Sequence, residues 1–271
     1  MDLKGKTVVI TGASSGIGKA CAKRFAGEGA NLVLGARQYV VLCGITAELE
    51  MEFGIRAVAV QVDVSKEDDC RALMEQAQTS FGGIDVLVNN AGISMRALFQ
   101  DLDLGVLRRV MDVNFWGTVY CTKYALPAIL KSGGSIVGVS SIAGYKGLPG
   151  RTGYSASKFA MQGFMESLRI ETLKQGVHVM VACPGFTASN IRSTALVADG
   201  SLQGSSSMEE GRMMTAEEVA GLIVRGVRQR RRDLIITGQG RLTVFMSRFF
   251  PGLTDRLVYK HFTKEKDPLI T

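Results

Sequence analysis

The stretch that decides the fold is Lys6-Thr-Val-Val-Ile-Thr-Gly-Ala-Ser-Ser-Gly-Ile-Gly18. It begins with a short apolar run, Thr7 to Thr11, which predicts a buried strand. A glycine-rich turn follows at once, and a helix-like pattern continues from Ile17 to about Gly27. Strand, glycine-rich turn and helix, in that order, form the unit that binds a dinucleotide in parallel α/β sheets.

The three glycines of this turn have different expected roles. Gly12 would allow the tight turn, Gly16 would let the backbone approach a pyrophosphate, and Gly18 would let the helix pack close to the sheet. The spacing is Gly-x-x-x-Gly-x-Gly, which differs from the common Gly-x-Gly-x-x-Gly. The turn therefore predicts a dinucleotide site made by Gly12, Ser14, Ser15, Gly16, Ile17 and Gly18.

Further strand-like runs alternate with helix-like stretches along the chain. The seven runs are Thr7 to Thr11, Asn31 to Leu34, Ala57 to Val62, Val86 to Asn89, Ser135 to Ser140, Val177 to Cys183 and Leu234 to Thr237. Such alternation implies right-handed crossovers and a parallel sheet with helices on both faces. The predicted fold class is α/β, a doubly wound Rossmann-type fold. We expect one domain over residues 1–240, with a substrate lid at about 188–214, and an apolar, basic extension at 241–271.

Composition limits the possible functions. The 271 residues include two histidines, His178 and His261, which excludes a histidine-rich metal site, and no metal is predicted. The cysteines are odd in number and lack a C-x-x-C pair, which favours reduced thiols in a cytosolic protein; they are Cys21, Cys43, Cys70, Cys121 and Cys183. Neither a signal peptide nor an apolar run of about 20 residues is visible, so we expect no integral membrane protein.

The segment Tyr154-Ser-Ala-Ser-Lys158 carries the candidate chemistry, with Ser141 upstream. Residues four apart share one face of a helix. A lysine ammonium beside a tyrosine favours the phenolate and lowers the pKa of the phenol from about 10. Alone, the spacing is weak, because an exposed tyrosine near a solvated lysine produces the same pattern.

Taken together, several ordered motifs resemble the short-chain dehydrogenase/reductase family over about Leu3 to Ile236. The motifs are Thr11-Gly-Ala-Ser-Ser-Gly-Ile-Gly18, Asn89-Asn-Ala-Gly92, Asn114, Ser141, Tyr154, Lys158 and Pro184-Gly185. The resemblance implies seven strands in the order 3-2-1-4-5-6-7. It also implies that Tyr154 exchanges a proton with a carbonyl or alcohol oxygen and that Lys158 lowers the pKa of Tyr154 and holds the nicotinamide ribose. Ser141 would hold the substrate oxygen, and Asn114 would anchor a water chain.

Cofactor preference depends on the end of the second strand. An acidic residue there binds the ribose hydroxyls of NAD, whereas this chain has Leu34-Gly-Ala-Arg37. An arginine can pair with a 2′-phosphate, so NADP(H) is favoured over NAD(H); a solvent-facing Arg37 is the alternative. The resemblance adds Asp63 and Val64 beside the adenine, Asn90, Ala91 and Gly92 along the cofactor, and Pro184, Gly185 and Thr187 at the nicotinamide, with Ser189 as an alternative to Thr187.

Four stretches lie outside this pattern. Gln38 to Cys43 is apolar, and we expect it to be buried in the core rather than to form an exposed patch. The weakly patterned lid contains Ile191, Leu196, Val197, Met208, Met213 and Met214, an adaptable apolar cover or a surface loop. The arginines from Arg225 to Arg232 are typical of a helix C-terminus, and no nucleic acid is predicted. The tail from Arg241 to Leu253 has an apolar helical stripe that suits core or subunit packing, or a membrane surface.

The sequence thus predicts an NADP(H)-dependent oxidoreductase that interconverts a carbonyl and a secondary alcohol on a mid-sized apolar substrate. A 3-oxoacyl carrier-protein reductase is the alternative among enzymes. A non-catalytic dinucleotide sensor or scaffold is the alternative of another class, although it would not need the proton-transfer residues. The resemblance implies a homodimer or homotetramer, with Phe159, Met161 and Phe164 compatible with subunit packing. The expected location is cytoplasmic, with possible peripheral membrane contact.

Overall fold

The protein is described by a computed structural model over residues 1–205, 213–264 and 268–270. Seven strands occur in these residues: β1 (Thr7–Thr11), β2 (Asn31–Ala36), β3 (Ala57–Gln61), β4 (Val86–Asn89), β5 (Ser135–Val139), β6 (His178–Cys183) and β7 (Asp233–Ile235). All pairs are parallel, and the order is β3-β2-β1-β4-β5-β6-β7. The doubly wound fold and the strand order are therefore confirmed. The order reverses direction between β1 and β4, which is where such sheets form a ligand crevice.

Helices cover both faces of this sheet. They are α1 (Gly16–Gly27), α2 (Tyr39–Phe53), α3 (Glu67–Phe81), α4 (Leu104–Met111), α5 (Gly117–Ser132), α6 (Thr152–Glu171), α7 (Ala216–Arg228), α8 (Gly238–Phe249) and α9 (Pro251–Phe262). Successive β1 side chains alternate: Val8 and Ile10 pack with α1, α2 and α7, whereas Val9 packs with α3, α5 and α6. The inner strands are thus buried on both faces, which explains their largely apolar sequences, whereas the edge strands β3 and β7 are partly exposed.

Strand ends differ from the predicted ones by one or two residues. Strand β2 ends two residues later than expected, at Ala36, and β7 ends two residues earlier, at Ile235 instead of Thr237. Thr237 instead caps α8, because its Oγ1 accepts a hydrogen bond from the Gly240 amide at 2.9 Å. Whether Thr237 extends β7 or caps a helix depends on the helix that follows, so strand periodicity alone does not predict the end of this strand.

The start of α2 does not enter the core, so the expected burial of Gln38 to Cys43 is wrong. Val40 is 84% exposed, Tyr39 and Val41 are also exposed, and Leu42 alone of this stretch is buried. The helical period directs Leu42 and Ile45 to the sheet and turns the preceding residues outward. The first turn of α2 therefore presents an apolar surface beside the end of β2.

Charged and sulfur-containing side chains are used structurally. Arg228 pairs with Glu28 at 3.0 Å, Arg232 pairs with Glu166 at 3.0 Å, and Arg230 donates to the carbonyl of Gly133 at 3.2 Å, which suits cations that follow a helix end.

All cysteines are free thiols, and only Cys43 is exposed. Among the described residues, no His, Cys, Asp and Glu cluster could hold a metal, and no helix is long and apolar enough to span a bilayer.

The predicted lid is described except for residues 206–212, so Met208 lies outside the described residues. Leu196 is buried and packs with Met95 and Val106 near α4, so it is part of a small core and not of an apolar cover. Ile191 lines a cavity at the end of β6. Thr215 opens α7 with a capping box that includes Glu218.

Candidate active site

The predicted site residues follow the carboxyl ends of successive strands, and many of them meet at one cavity. Its volume is about 140 Å³. The predicted residues in its lining are Ile17, Asn90, Gly92, Ser141, Tyr154, Lys158, Pro184, Gly185 and Thr187. Because the strands are parallel, segments far apart in sequence are brought to one edge of the sheet.

Tyr154 and Lys158 lie on one face of α6, as the spacing predicts. The Lys158 Nζ atom is 5.7 Å from the centroid of the Tyr154 ring and donates a hydrogen bond to the Val139 carbonyl at 2.9 Å. Ser141 follows β5, and its hydroxyl is near enough to the Tyr154 phenol to lower the pKa of that phenol. Ser141 Oγ also accepts a bond from the Ala143 amide at 3.1 Å, which orients it. The three polar groups therefore share one small volume.

The protonation of Tyr154 is set by opposing effects. Burial raises the pKa of Tyr154 above its ordinary value, whereas the nearby Ser141 hydroxyl and the positive charges of Arg151 and Arg192 lower it. Burial prevails, so the chain's own groups do not produce the lowered pKa expected from the Lys158 neighbour. At neutral pH Tyr154 is a phenol, which is the form that donates a proton to a carbonyl oxygen.

Lys158 is almost fully buried, and burial lowers its pKa to about 8. The charged form is disfavoured because the ammonium loses its hydration, and the hydrogen bond to the Val139 carbonyl replaces only part of it. Lys158 is thus predominantly charged at pH 7 and titrates not far above it.

Asn114 is completely buried below the cavity and does not line it. Its side chain accepts a hydrogen bond from the Ile93 amide at 2.8 Å and donates to the Ile93 carbonyl at 3.0 Å and to Ser157 Oγ at 2.9 Å. Ser157 in turn donates to the Tyr154 carbonyl at 2.7 Å. Asn114 therefore links the segment after β4 to α6, and it lies in a π-helical turn, Asp112–Trp116, of a kind often found at functional sites.

The glycine turn after β1 is tied to the segment after β4. Gly12 has φ +65°, and a Cβ there would lie 2.8 Å from the Ala91 Cα atom. Asn90 Nδ2 donates to the carbonyls of Thr11 and Gly12 at 3.0 and 3.2 Å, and Thr11 Oγ1 accepts the Ala91 amide at 3.0 Å. A Cβ at Gly18 would collide with the Gly12 carbonyl. Gly12 and Gly18 thus permit close packing, and Asn90 fixes the turn.

The start of α1 fits the phosphates of a dinucleotide. Gly16 has φ +51° and its nearest neighbour for a Cβ is Ser189 at 3.6 Å, so the backbone is open to a close approach. Ser15 precedes the helix without a side-chain cap, and no acidic residue stands in the first turn. The amides and the positive end of the helix dipole therefore face outward for an anion.

Arg37 and Asp63 follow the neighbouring strands β2 and β3. Arg37 is exposed directly after β2. Partial burial would raise the pKa of Asp63, but hydrogen bonds from the Ser65 amide and hydroxyl and the charges of Arg37 and Lys66 lower it on balance. Asp63 is therefore ionised, with the positive charge of Arg37 close enough to stabilise its carboxylate.

Thr187 and Ser189 occupy different positions after β6. Thr187 is buried, and its hydroxyl donates to the Gly185 carbonyl at 3.2 Å. Ser189 is partly exposed, lines the cavity and faces Gly16. The Ser189 hydroxyl is thus nearer to the glycine turn, whereas Thr187 stabilises the turn after β6.

Several lining residues were missed by sequence reasoning. They are Ser94, Val139, Ser140, Arg151, Phe186 and Arg192. Arg151 is 9% exposed and stands one residue before α6, three positions from Tyr154, so its spacing was a usable signal. Arg192 donates to the Thr187 carbonyl at 2.8 Å and lies in the weakly patterned lid, where no signal distinguished it.

The helical pair α8 and α9, here called the C-terminal hairpin, borders the cavity. The ring of His261 stacks on Phe186 at 6.2 Å, Phe262 lies 5.2 Å from the Arg151 guanidinium, and Lys146 pairs with Asp255. Its outer surface keeps large apolar side chains in solvent, namely Leu242, Phe245, Phe249, Phe250, Leu253 and Leu257. The hairpin thus holds the rim of the cavity and leaves an apolar face uncovered.

Comparison with known proteins agrees with this geometry. A family model for short chain dehydrogenases matches residues 6–198. Dehydrogenase/reductase SDR family member 7B of Mus musculus is 35% identical over 269 residues, which cover 97% of this chain and 83% of the relative. The 11-beta-hydroxysteroid dehydrogenase 1A of Arabidopsis thaliana is 44% identical over 192 residues, which cover 70% of this chain and 54% of that relative.

Solved structures show the same fold. A short chain dehydrogenase/reductase from Burkholderia phymatum in complex with NAD superposes with a TM-score of 0.82 at 25% identity, over 93% of this chain and 96% of the other. An alcohol dehydrogenase from Thermococcus sibiricus, complexed with 5-hydroxy-NADP, gives 0.76 at 26% identity, over 86% of this chain and 96% of the other. Family relatives are NAD(P)-dependent oxidoreductases. The chain belongs to the short-chain dehydrogenase/reductase family and is an oxidoreductase of carbonyl and alcohol groups.

Proposed function

We propose that this enzyme uses NADP(H) to interconvert a carbonyl and a secondary alcohol on a mid-sized apolar substrate. The observation that carries the proposal is the meeting of Ser141, Tyr154 and Lys158 at one cavity bounded by Gly92 and Gly185. A nicotinamide dinucleotide, when bound, supplies hydride for reduction or accepts it for oxidation.

In the reductive direction, Tyr154 donates its phenolic proton to the carbonyl oxygen, and Ser141 holds that oxygen by a hydrogen bond. Lys158 stabilises the phenolate that remains and binds the ribose of the cofactor. Asn114 holds the segment after β4 against α6 and so maintains the position of Tyr154. In oxidation the same groups act in reverse, with the phenolate as the base.

The decisive experiment is oxidation of NADPH or NADH by the purified full-length protein with ketones graded in size. We expect turnover with NADPH and a rise in kcat/KM with the apolar area of the ketone, because Val139, Phe186 and Ile191 line the cavity. Failure of every ketone and alcohol to react, with NADPH binding intact, would favour the sensor alternative.

The preference for NADP(H) rests on Arg37. Arg37 is exposed directly after β2, and its positive charge lowers the pKa of Asp63. Arg37→Ala should weaken NADPH binding by about tenfold or more and leave NADH binding nearly unchanged, since only the former carries the 2′-phosphate. Lys66→Ala is a matched control near the same carboxylate. Equal effects of Arg37→Ala on both cofactors would contradict the preference.

We propose two contacts for the exposed apolar surfaces of the protein, one with a second copy of the chain and one with a membrane. Trp116 is exposed at the end of the π-helical turn before α5, Phe159 is exposed on α6 and Phe164 is half-buried on the same helix, whereas Met161 belongs to the core. We assign this aromatic face to packing in a homodimer or homotetramer, and Phe159→Asp should lower the mass measured by analytical ultracentrifugation. An unchanged mass, or a monomeric wild-type protein, would contradict this assignment.

We assign the outer face of the C-terminal hairpin to peripheral contact with an anionic membrane. Its exposed apolar side chains are accompanied by the exposed cations Arg241, Arg248, Arg256, Lys260 and Lys264, and the carboxylate of Asp255 is paired with Lys146. An apolar face flanked by cations suits a surface of acidic lipids. The proposed location is cytoplasmic, with this membrane contact.

A further inference from the structure

Gln162 lies on the face of α6 that carries Tyr154 and Lys158, but it stands behind the cavity. It follows Lys158 by four residues and Tyr154 by eight, so the three side chains form one stripe along the helix. Tyr154 and Lys158 line the cavity, whereas Gln162 is half-buried and is not among the described residues of that lining. The proton-transfer chemistry therefore gives Gln162 no direct part.

The Gln162 amide contacts two segments that end at the cavity. Its Nε2 atom donates to Ser140 Oγ at 3.0 Å and to Cys183 Sγ at 3.5 Å. A primary amide has two donor hydrogens, and these contacts use both of them. Ser140 directly precedes Ser141, and Cys183 is the last residue of β6, directly before Pro184. One side chain of α6 is thus bonded to the segments at the ends of β5 and β6.

Further hydrogen bonds join these segments to each other and to α6. The Ser140 amide donates to the Ala182 carbonyl at 2.7 Å, and the Ile142 amide donates to the Pro184 carbonyl at 3.3 Å. The Ser140 hydroxyl donates to the Lys158 carbonyl at 3.4 Å. A change at this junction would therefore move α6 relative to the ends of both strands.

Gly144 leaves the room that this amide occupies. A Cβ atom at Gly144 would lie 2.9 Å from Ser140 Oγ and closer still to Gln162 Nε2. Because the amide is the end of a flexible side chain, a residue larger than glycine would displace it from Ser140. Position 144 therefore offers a second way to break the same hydrogen bond.

We propose that Gln162 is a positioning residue, which holds the proton donor Tyr154 at a fixed distance from Ser141 and from the segment Pro184 to Gly185. The inference rests on the proposed carbonyl chemistry, in which Ser141 holds the substrate oxygen and Pro184 to Gly185 border the nicotinamide. The proton goes to the oxygen and the hydride to the carbon of one carbonyl group, so their sources must stay aligned. A misplacement of about 1 Å in such an arrangement costs about 10²-fold in rate.

The test compares the wild type with Gln162→Met, which keeps the length of the side chain and removes its donors. With NADPH and the ketone of highest kcat/KM, kcat should fall about ten- to hundredfold, whereas KM and the dissociation constant of NADPH should change about twofold or less. NADPH deuterated at the transferred hydrogen should slow the variant more than the wild type, because hydride transfer then limits turnover. The pH profile of kcat should not move, since the neighbours of the Tyr154 hydroxyl are unchanged.

Arg169→Met is the matched structural control. Arg169 lies on the same helix and donates to the Val179 carbonyl at 2.9 Å, at the other end of β6 from Cys183. This variant should lower the midpoint of thermal unfolding at least as much as Gln162→Met does, and it should retain kcat.

Gly144→Ala should reproduce the loss of kcat, and it tests the same bond if Gln162→Met does not fold. The double variant should lose little more than either single variant, because both changes break one hydrogen bond. Additive losses would show that the two positions act separately and would count against the proposal.

Three other outcomes would overturn the positioning role. Unchanged kcat in Gln162→Met, with turnover in the wild type, would remove it and leave the reductase function intact. Equal losses of kcat in Gln162→Met and Arg169→Met would show that any loosening of α6 suffices. A wild type that turns over no carbonyl or alcohol would overturn the proposed function and this inference together.

Discussion

Two regions of the molecule differ in the burial of their side chains. One is the polar cluster of Asn114, Ser141, Tyr154 and Lys158, and the other is the C-terminal hairpin. Asn114 and Lys158 are buried, and each makes at least one hydrogen bond to the backbone. Phe249 and Leu253 of the hairpin are more than half exposed. Buried polar side chains whose hydrogen bonds are satisfied are held in one position. Exposed apolar side chains, in contrast, gain free energy when they are buried against another protein or a membrane. The following predictions test this contrast, from the largest effect to the smallest.

The largest effect is expected for loss of the Tyr154 hydroxyl. Tyr154→Phe should lower kcat by about 10²- to 10⁴-fold, because general acid catalysis contributes that much, with NADPH binding near normal. Tyr259→Phe in the hairpin is the matched control and should retain turnover. Steady-state kinetics and a fluorescence titration of NADPH separate the two quantities. Full activity of Tyr154→Phe would end the catalytic assignment.

Asn114→Ala should destabilise the protein by about 2 to 4 kcal/mol, because it removes three hydrogen bonds and leaves buried groups of Ile93 and Ser157 without their partner. The hairpin counterpart is Thr243→Ala, which removes one bond to the Gln239 carbonyl and should change the free energy of unfolding by less than about 0.5 kcal/mol. Urea unfolding measures both. Similar losses in the two variants would break the contrast.

Lys158 makes stability depend on pH. Its pKa of about 8 lies below the unfolded value of 10.5, so the unfolded chain binds more protons between these values and stability rises with pH in that window. The free energy of unfolding of the wild type, minus that of Lys158→Met, should increase by about 1.5 kcal/mol from pH 8 to 9.5. Lys264→Met, at an exposed site after α9, should show no such slope. A flat difference for Lys158→Met would show that burial does not depress its pKa.

The smallest effect on stability is expected at the hairpin surface. Phe249→Ser combined with Leu253→Ser should change the free energy of unfolding by about 0.5 kcal/mol or less, since both side chains are already exposed. The same variant should lose flotation with vesicles that contain phosphatidylserine, whereas the wild type floats. If the wild type stays in the soluble fraction, the membrane contact is wrong. If stability falls by several kcal/mol, the face is part of the core.

Much of the site could be predicted because its residues follow strands that the sequence reveals. The apolar run of Thr7 to Thr11 and the glycines after it define the crevice, and the Tyr154 to Lys158 spacing defines one helical face. The exposed start of α2 could not be predicted, because Val40 and Leu42 have similar hydropathy and only the position of the sheet edge decides which is buried. Arg192 could not be predicted either, because its segment has no periodicity.

By itself the sequence determined the alternation of strands and helices, the glycine turn and the candidate residues for proton transfer, since these depend on local periodicity and on side-chain chemistry. The tertiary structure alone decided that burial outweighs the effect of the Ser141 hydroxyl on the pKa of Tyr154, that Asn114 links Ile93 to α6, and that Arg151 and Arg192 meet at one cavity. Burial, hydration and electrostatic fields depend on which segments surround a group, and those segments are distant in the chain.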